Sequence, residues 1–386
     1  MGCSESKKRL SYRKVTWEGL SRTAYAPLPP GKLMRQGGIF MLRRNGARGG
    51  GGSRSGSGSG SGARSSYTRL MLSLVAVAIV AAAIAATMAG CPGPEQELAE
   101  RVVDRFSSEP KLTLYSHKTD KKTEIGLEEY ITGVVAGEMK PEWPKNAYAA
   151  QAIVARTFTL ELLSRGGTRD LHGADICDNH VHAQAYNPDN ITQTIKDAVR
   201  MTRGEVMIYR NRYVKGWFSA SCGGRTTNAK TGLAYKGKEP AYIKSVSCKE
   251  SRITPPEVKK WSADIDSETV LQALKKLGKP LPNLSGAQIA KRVDNRAAVL
   301  RLSGGGKKVE IDGADFRVAV GPEKMRSIWL TQFEVKDGRL ITSGTGFGHG
   351  VGLCQWGANE LARENSSPEE IVKHYFPKVT IKRLWR

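Results

Sequence analysis

A chain of 386 residues with 39% hydrophobic and 25% charged residues can bury a sizeable core, and it is too charged overall for a polytopic membrane protein. Its 60 Lys and Arg against 37 Asp and Glu give a net charge of +23, about half of it from residues 1–69, where 14 basic residues face only Glu5 and Glu18. Six cysteines spread over this length exclude a disulfide-dense mini-scaffold, and no collagen, coiled-coil or solenoid period is present.

Residues 1–69 read as a basic, disordered cytoplasmic tail. Within it, residues 46–62 (GARGGGGSRSGSGSGSG) cannot bury apolar surface and form a flexible Gly/Ser tether. Met1-Gly2-Cys3-Ser4-Glu5-Ser6 fits an N-myristoylation pattern, which matters only in a eukaryote and is read as chance. Residues 70–89 (LMLSLVAVAIVAAAIAATMA) are uncharged and apolar on every face, about the length a helix needs to cross a bilayer. Residues 70–90 are therefore predicted to be one transmembrane helix. The basic leader puts the N-terminus in the cytoplasm and everything after it outside the membrane. The lipobox-like Met88-Ala89-Gly90-Cys91 leaves processing and lipidation at Cys91 as the alternative anchor. Residues 91–110 have helical spacing from Glu95 and read as a stalk, and the globular part runs over residues 111–386.

In that part, residues 111–115 alternate as a strand. Residues 144–164 (PKNAYAAQAIVARTFTLELLS) have helical periodicity, with Pro144 at a permitted start and Gly166-Gly167 as the stop. Residues 205–209 and 213–219 are predicted to pair as a hairpin across Arg210-Asn211-Arg212, and residues 297–302 and 307–311 across Gly304-Gly305-Gly306. Helices are expected over 267–277 and 355–363. Helices and strands interleave without a regular βαβ alternation, so the predicted class is α+β: a single mixed domain behind one N-terminal span.

Four constellations could carry chemistry. Glu138 lies in the apolar, glycine-rich GVVAGEM just before the long helix, where apolar surroundings would raise its pKa toward the value a general acid needs near neutral pH. The competing reading makes it a helix cap or the partner of Arg156, a lone charge among Ala152, Ile153, Val154, Ala155 and Phe158. The stretch HGADICDNHVHAQAY gathers His172, Cys177, His180 and His182, a zinc-type donor set with non-standard spacing, against a reading as loop histidines beside a half-buried cysteine. WFSASCGGRT ends an apolar strand in a polar turn whose Ser219 and Ser221 bond the turn or a sugar, since no G-x-S-x-G elbow surrounds them. GTGFGHGVG followed by LCQWG has no phosphate-loop lysine, and His349, Gln355 and Trp356 are equipment for holding a sugar beside a close-approaching backbone. Nucleic acid is excluded as a partner, because the outer part has scattered rather than clustered basic residues. An anionic cell-wall polymer accounts for the charge more simply.

These stretches together resemble the SpoIID/LytB family, named for stage II sporulation protein D and the amidase enhancer LytB. The resemblance rests on residues 128–139 (EEYITGVVAGEM), 150–157 (AQAIVART), 218–228 (FSASCGGRTTN), Arg317 with Ser327 and Phe333, residues 346–358 (GFGHGVGLCQWGA), and His374-Tyr375-Phe376-Pro377. It covers about residues 110–386 and none of the tail. It implies a membrane-anchored lytic transglycosylase that cuts peptidoglycan glycan strands, with Glu138 as catalytic acid. Arg156, Ser219, Arg225, His349, Gln355 and Trp356 are the implied substrate-binding residues. Some members hold a structural zinc in the loop after the helix, which Cys177 and His182 suit; Ala183 stands where a second Cys is expected, so His172 or His180 must complete the site. No other cofactor is implied. One carboxylate suffices for such a reaction, whereas a hydrolase needs two, and Glu142, Asp175 and Asp178 stay candidates for the second. The alternative function is a non-catalytic glycan-binding enhancer of an amidase, which would then be a partner; a scaffold tying membrane to wall is a third.

Overall fold

The computed structural model describes residues 108–386. The predicted tail, tether, membrane span and nearly all of the stalk lie outside these residues, and no helix among the described residues is long and apolar enough to cross a membrane.

Strand β1 (Lys111–Ser116) alternates as expected, burying Leu112 and Leu114, and pairs antiparallel with β2 (Lys121–Gly126). The chain passes directly into α1 (Leu127–Glu138), a helix the sequence reading did not separate from its glycine-rich surroundings. The predicted long helix is α2 (Lys145–Ser164), with Pro144 at its N-cap. Its small residues Ala147, Ala149, Ala150, Ala152 and Ala155 are all buried and let α1 and later helices approach closely. A short α3 (Arg169–His172) leads to β3 (Ile176–Cys177), which joins β1 in parallel, and to α4 (Gln193–Met201), whose Thr192 cap accepts from the Ile195 amide. Next, β4 (Glu205–Tyr209) turns at Arg210 and Asn211, both at positive φ, into β5 (Arg212–Tyr213). The predicted second arm through residue 219 is corrected here. Pairing stops at Tyr213, and β6 (Phe218–Ser219) leaves the hairpin to pair in parallel with β13 (Leu353–Cys354) far along the chain.

After α5 (Ala229–Leu233) and α6 (Pro256–Lys259), residues 260–345 build a second hydrophobic core. It contains β7 (Lys260–Ile265), α7 (Ser267–Lys276), β8 (Gly286–Val293), β9 (Arg296–Gly304), β10 (Lys307–Asp312), α8 (Gly313–Val320), β11 (Leu330–Lys336) and β12 (Arg339–Thr345). The sheets are β10-β9-β8 and β11-β12-β7, and the glycine hairpin between β9 and β10 forms as predicted. The two ends of this segment meet: Lys260 pairs with Thr345, and the Gly346 amide donates to the Lys259 carbonyl at 3.1 Å. The chain then returns to the first core through β13, α9 (Gln355–Arg363), α10 (Pro368–Tyr375) and β14 (Thr380–Arg383), the last pairing antiparallel with β4. Helices and strands mix as the α+β expectation required.

At the centre of the first core sits a charge pair. Arg156 is fully buried on α2 and binds Glu128 on α1 through two nearly parallel bonds, Nε to Oε1 at 3.0 Å and Nη2 to Oε2 at 2.7 Å. Its Nη1 donates to the Glu205 carbonyl at 2.9 Å, and Glu128 Oε1 also accepts from the Gly204 amide and the Trp385 indole, each at 3.0 Å. Four segments thus meet on one ion pair, and the pair is satisfied by bidentate geometry and extra donors, the condition a buried pair must meet. Breaking it leaves a buried charge alone. Arg156→Met or Glu128→Gln is therefore expected to lower unfolding free energy by about 3–5 kcal/mol in urea denaturation, with part of the loss recovered in Arg156→Met/Glu128→Leu; a loss under about 1 kcal/mol in the single variants would remove the pair from this role.

Candidate active site

Glu138 is the last residue of α1, 4% exposed, at the end of the helix whose unpaired carbonyls disfavour a negative charge. Burial drives its carboxyl up to about 8, against which a single hydrogen bond works: the Ala185 amide donates to Oε1 at 2.7 Å. The carboxyl is therefore mostly protonated at neutral pH. Neither competing sequence reading survives, because Glu138 does not cap α2 and Arg156 is taken by Glu128. Arg156, expected at the substrate, is corrected to a core residue for the same reason.

The loop that brings Ala185 to Glu138 is seated on two glycines one helical turn apart. The Asn187 amide donates to the Gly133 carbonyl at 3.0 Å, and a Cβ at Gly133 would sit 2.2 Å from the Tyr186 ring. At Gly137 a Cβ would meet the Ala185 carbonyl oxygen at 2.7 Å. Only glycine allows this approach, so the G-x-x-x-G within GVVAGE is the mould for the backbone that touches the acid.

The start of α9 also packs against Glu138. Gln355 Nε2 donates to the Glu138 carbonyl at 3.1 Å, and Trp356 stacks obliquely on Trp143 at 4.8 Å with the Lys140 ammonium 5.2 Å from its ring centroid. Glu138, Gln355 and Trp356 are thus brought together, with Lys140 and Trp143 added by the short link between α1 and α2. His349 and Ser219 act inside the fold. His349 Nδ1 accepts from the Val351 amide at 3.0 Å, and Ser219 Oγ accepts from the Gly350 amide at 3.2 Å, which pins the glycine-rich loop to β6. Burial, then the nearby Arg317 charge, pushes the His349 imidazole down to about 3, so it stays neutral. Arg225 is exposed on the turn after β6, with its backbone bridged to Ser247.

The histidine-rich loop forms a donor cluster. His117, His172, Cys177 and His182 place one ligand atom each within 4.8 Å of one another. His172 Nε2 lies 3.0 Å from His182 Nδ1, and the Cys177 thiol 3.9 Å from the same nitrogen. The expected Cys177, His182 and His172 are assembled, whereas His180 lies outside the group and His117, from the end of β1, takes the fourth place. Three imidazoles and a thiol suit a tetrahedral zinc. Burial lowers His172 and His182, which keeps their nitrogens free to ligate, and raises Cys177 to about 11, so the thiol is protonated in the absence of a metal and would lose its proton on ligating one. Asp175 and Asp178 serve the same region: Asp175 accepts from the Thr113 amide at 2.9 Å and Asp178 from the Ser116 hydroxyl at 2.8 Å.

The raised Glu138 carboxyl has a sign in stability. Below about 4.5 the group is protonated folded and unfolded; between about 4.5 and 8 only the unfolded chain ionises; above that the folded protein must carry a buried charge. Wild-type stability relative to Glu138→Gln is accordingly expected to fall as pH rises through that window, by on the order of a few kcal/mol. Parallel urea titrations of the two proteins that keep a constant gap across the window would show that the carboxyl is not held protonated.

Comparison with known proteins matches this region. A profile described as SpoIID, stage II sporulation protein, matches residues 115–209, from β1 through α1, α2 and the histidine loop to the end of β4. The chain is 32% identical over 309 residues to stage II sporulation protein D of Bacillus amyloliquefaciens, covering 75% of this chain and 85% of that one. It is 30% identical over 264 residues to an uncharacterized protein of Brachyspira hyodysenteriae, covering 67% of each, and 23% identical over 295 residues to the amidase enhancer of Bacillus subtilis, covering 65% of this chain and 40% of that protein. With more than four-fifths of the Bacillus amyloliquefaciens protein aligned at this identity, the chain belongs to the stage II sporulation protein D (SpoIID) family.

Proposed function

We propose that this protein is a cell-wall enzyme that cleaves peptidoglycan glycan strands by lytic transglycosylation, with Glu138 as its acid and then its base. The observation that carries the reading is a single carboxyl, buried at the end of α1 and raised to about 8, beside the Gln355–Trp356 wall. A protonated carboxyl can give its proton to the glycosidic oxygen as the C1–O bond breaks. The carboxylate left behind takes the proton of the muramic 6-hydroxyl as that oxygen bonds to C1, closing a 1,6-anhydro ring without consuming water. Asp175 and Asp178 are engaged with β1, which weighs against their acting as the second carboxylate of a hydrolase. Gln355 and Trp356 are buried against the acid and shape its surroundings, and exposed Arg225 is the polar group free to meet a glycan. Glu138→Gln is expected to reduce cleavage of isolated glycan strands by on the order of 10²- to 10⁴-fold or more while leaving glycan binding intact. Wild-type products should be lighter by one water than hydrolytic ends, and the rate should decline as pH rises through about 8. Reducing ends in the mass spectrum would reject transglycosylation. Absence of cleavage together with acceleration of an added amidase would favour the enhancer reading, which the likeness to an amidase enhancer supports.

Zinc at His117, His172, Cys177 and His182 belongs to the same reading as a structural ion. The loop it would hold continues from His182 into the Ala185 amide that touches Glu138. His117→Ala/His182→Ala should lose one equivalent of zinc by elemental analysis and melt at a lower temperature than wild type; unchanged metal content and melting would return the cluster to a plain loop.

The proposed location is the outer face of a membrane, with residues 70–90 as a single span and the basic tail inside. Protease added to spheroplasts should digest residues 111–386 and spare residues 1–69, and protection of the C-terminal part would reject both the topology and the cell-wall substrate.

A further inference from the structure

A second donor cluster lies away from Glu138 and from the histidine loop. Cys222, Cys248, Glu250 and Cys354 are all buried, are all free of disulfides, and place their ligand atoms within 4.8 Å of one another. They come from three segments: the turn after β6, the 248–250 stretch ahead of α6, and the residue that caps α9.

The surroundings are those of ligands rather than of incidental thiols. Cys354 Sγ receives the Cys222 amide at 3.3 Å and the Gly357 amide at 3.4 Å, and Cys248 Sγ lies 3.2 Å from the Tyr375 hydroxyl. Amide and hydroxyl donors aimed at sulfur support thiolate charge and orient a ligand. Glu250 Oε1 accepts from the Ser221 hydroxyl at 2.9 Å and from the Gly223 and Gly224 amides, while Oε2 lies 2.7 Å from Cys354 Sγ and accepts from the Cys222 amide at 3.1 Å. These donors are neutral, and a carboxylate buried to 2% exposure on neutral donors calls for a cation. The Arg296 guanidinium is close but spends Nη2 on the Cys222 and Arg225 carbonyls, at 2.7 and 3.0 Å. The approach of α9 to the cluster depends on a glycine: a Cβ at Gly357 would fall 2.2 Å from Cys248 Sγ and 2.1 Å from the Tyr375 oxygen. A disulfide would use two of the three sulfurs and leave the third, with the carboxylate, unexplained.

We propose that Cys222, Cys248, Cys354 and Glu250 bind a thiophilic divalent cation of the zinc class in a closed tetrahedral site that fixes the start of α9. Three thiolates and a carboxylate fill four positions, which marks a structural rather than a catalytic ion. Arg296 offsets part of the surplus negative charge. The clamp acts one residue before Gln355, so it holds the wall beside Glu138, and it stands whether or not the protein cleaves glycan.

The test uses the full chain in detergent, purified under reducing conditions, in the His117→Ala/His182→Ala background that removes the other cluster. That variant should retain one equivalent of zinc. Replacement by cobalt(II) should give intense sulfur-to-metal charge-transfer absorption in the near ultraviolet, a readout that needs no cysteine substitution. Adding Cys222→Ser/Cys354→Ser should abolish both, and Glu250→Gln should weaken zinc affinity at least tenfold while keeping the sulfur band. A folded His117→Ala/His182→Ala protein that takes up neither zinc nor cobalt would overturn the site, as would recovery of any two of these cysteines as a disulfide in non-reducing peptide mapping of a parallel sample purified without reductant.

Discussion

The Arg156–Glu128 pair is the constraint on which the first core depends. A guanidinium with no exposure must be neutralised where it stands, and the geometry that does so also fixes α1 against α2, the turn before β4, and the C-terminal Trp385. Because α1 is held at Glu128 by this pair and at Gly133 by the Asn187 amide, its last residue can point only one way. The position of Glu138 is set from the far end of its own helix.

Protonation of Glu138 follows from the same economy of contacts. A charged partner within reach would pull the carboxyl down; among the described residues only burial and the Ala185 amide act on it, and Arg156 is bound to Glu128. One amide hydrogen bond from Ala185 orients the group without neutralising the effect of burial. The acid is thus tuned by what the core withholds, and the histidine loop and α9 both pack against it.

Much of this was legible in the residues and some was not, for identifiable reasons. Period and end signals were enough for α2, for α9 and for the β9–β10 hairpin, because those elements are decided by neighbours within a few positions. The α1 helix was hidden because its Gly133 and Gly137 argue locally against a helix, and only packing against residues 185–187 explains them. The end of β5 was missed because Phe218 has a partner 135 residues later, at Leu353. Glu138 stood out through its apolar setting, whereas the partner of Arg156, 28 residues upstream, could not be chosen from several acids. His117 joined the donor cluster from 55 residues before His172, and Glu250 joined the three thiols from a stretch with no motif. Both are tertiary facts, and the metal-ligating residue type is the signal the sequence carries for each.

The second core also bears on how far a substitution is felt through the chain. Residues 260–345 leave and rejoin the first core at one point, where Lys260 pairs with Thr345 and Gly346 bonds to Lys259. A segment with its own hydrophobic interior and adjoining ends has the form of a cassette, fastened to the first core by its two ends and by Arg296, whose guanidinium holds the Cys222 and Arg225 carbonyls beside β6. A change on the outer surface of this lobe, away from Arg296, therefore has no direct path to the acid, whereas a change at Arg296 reaches the turn after β6.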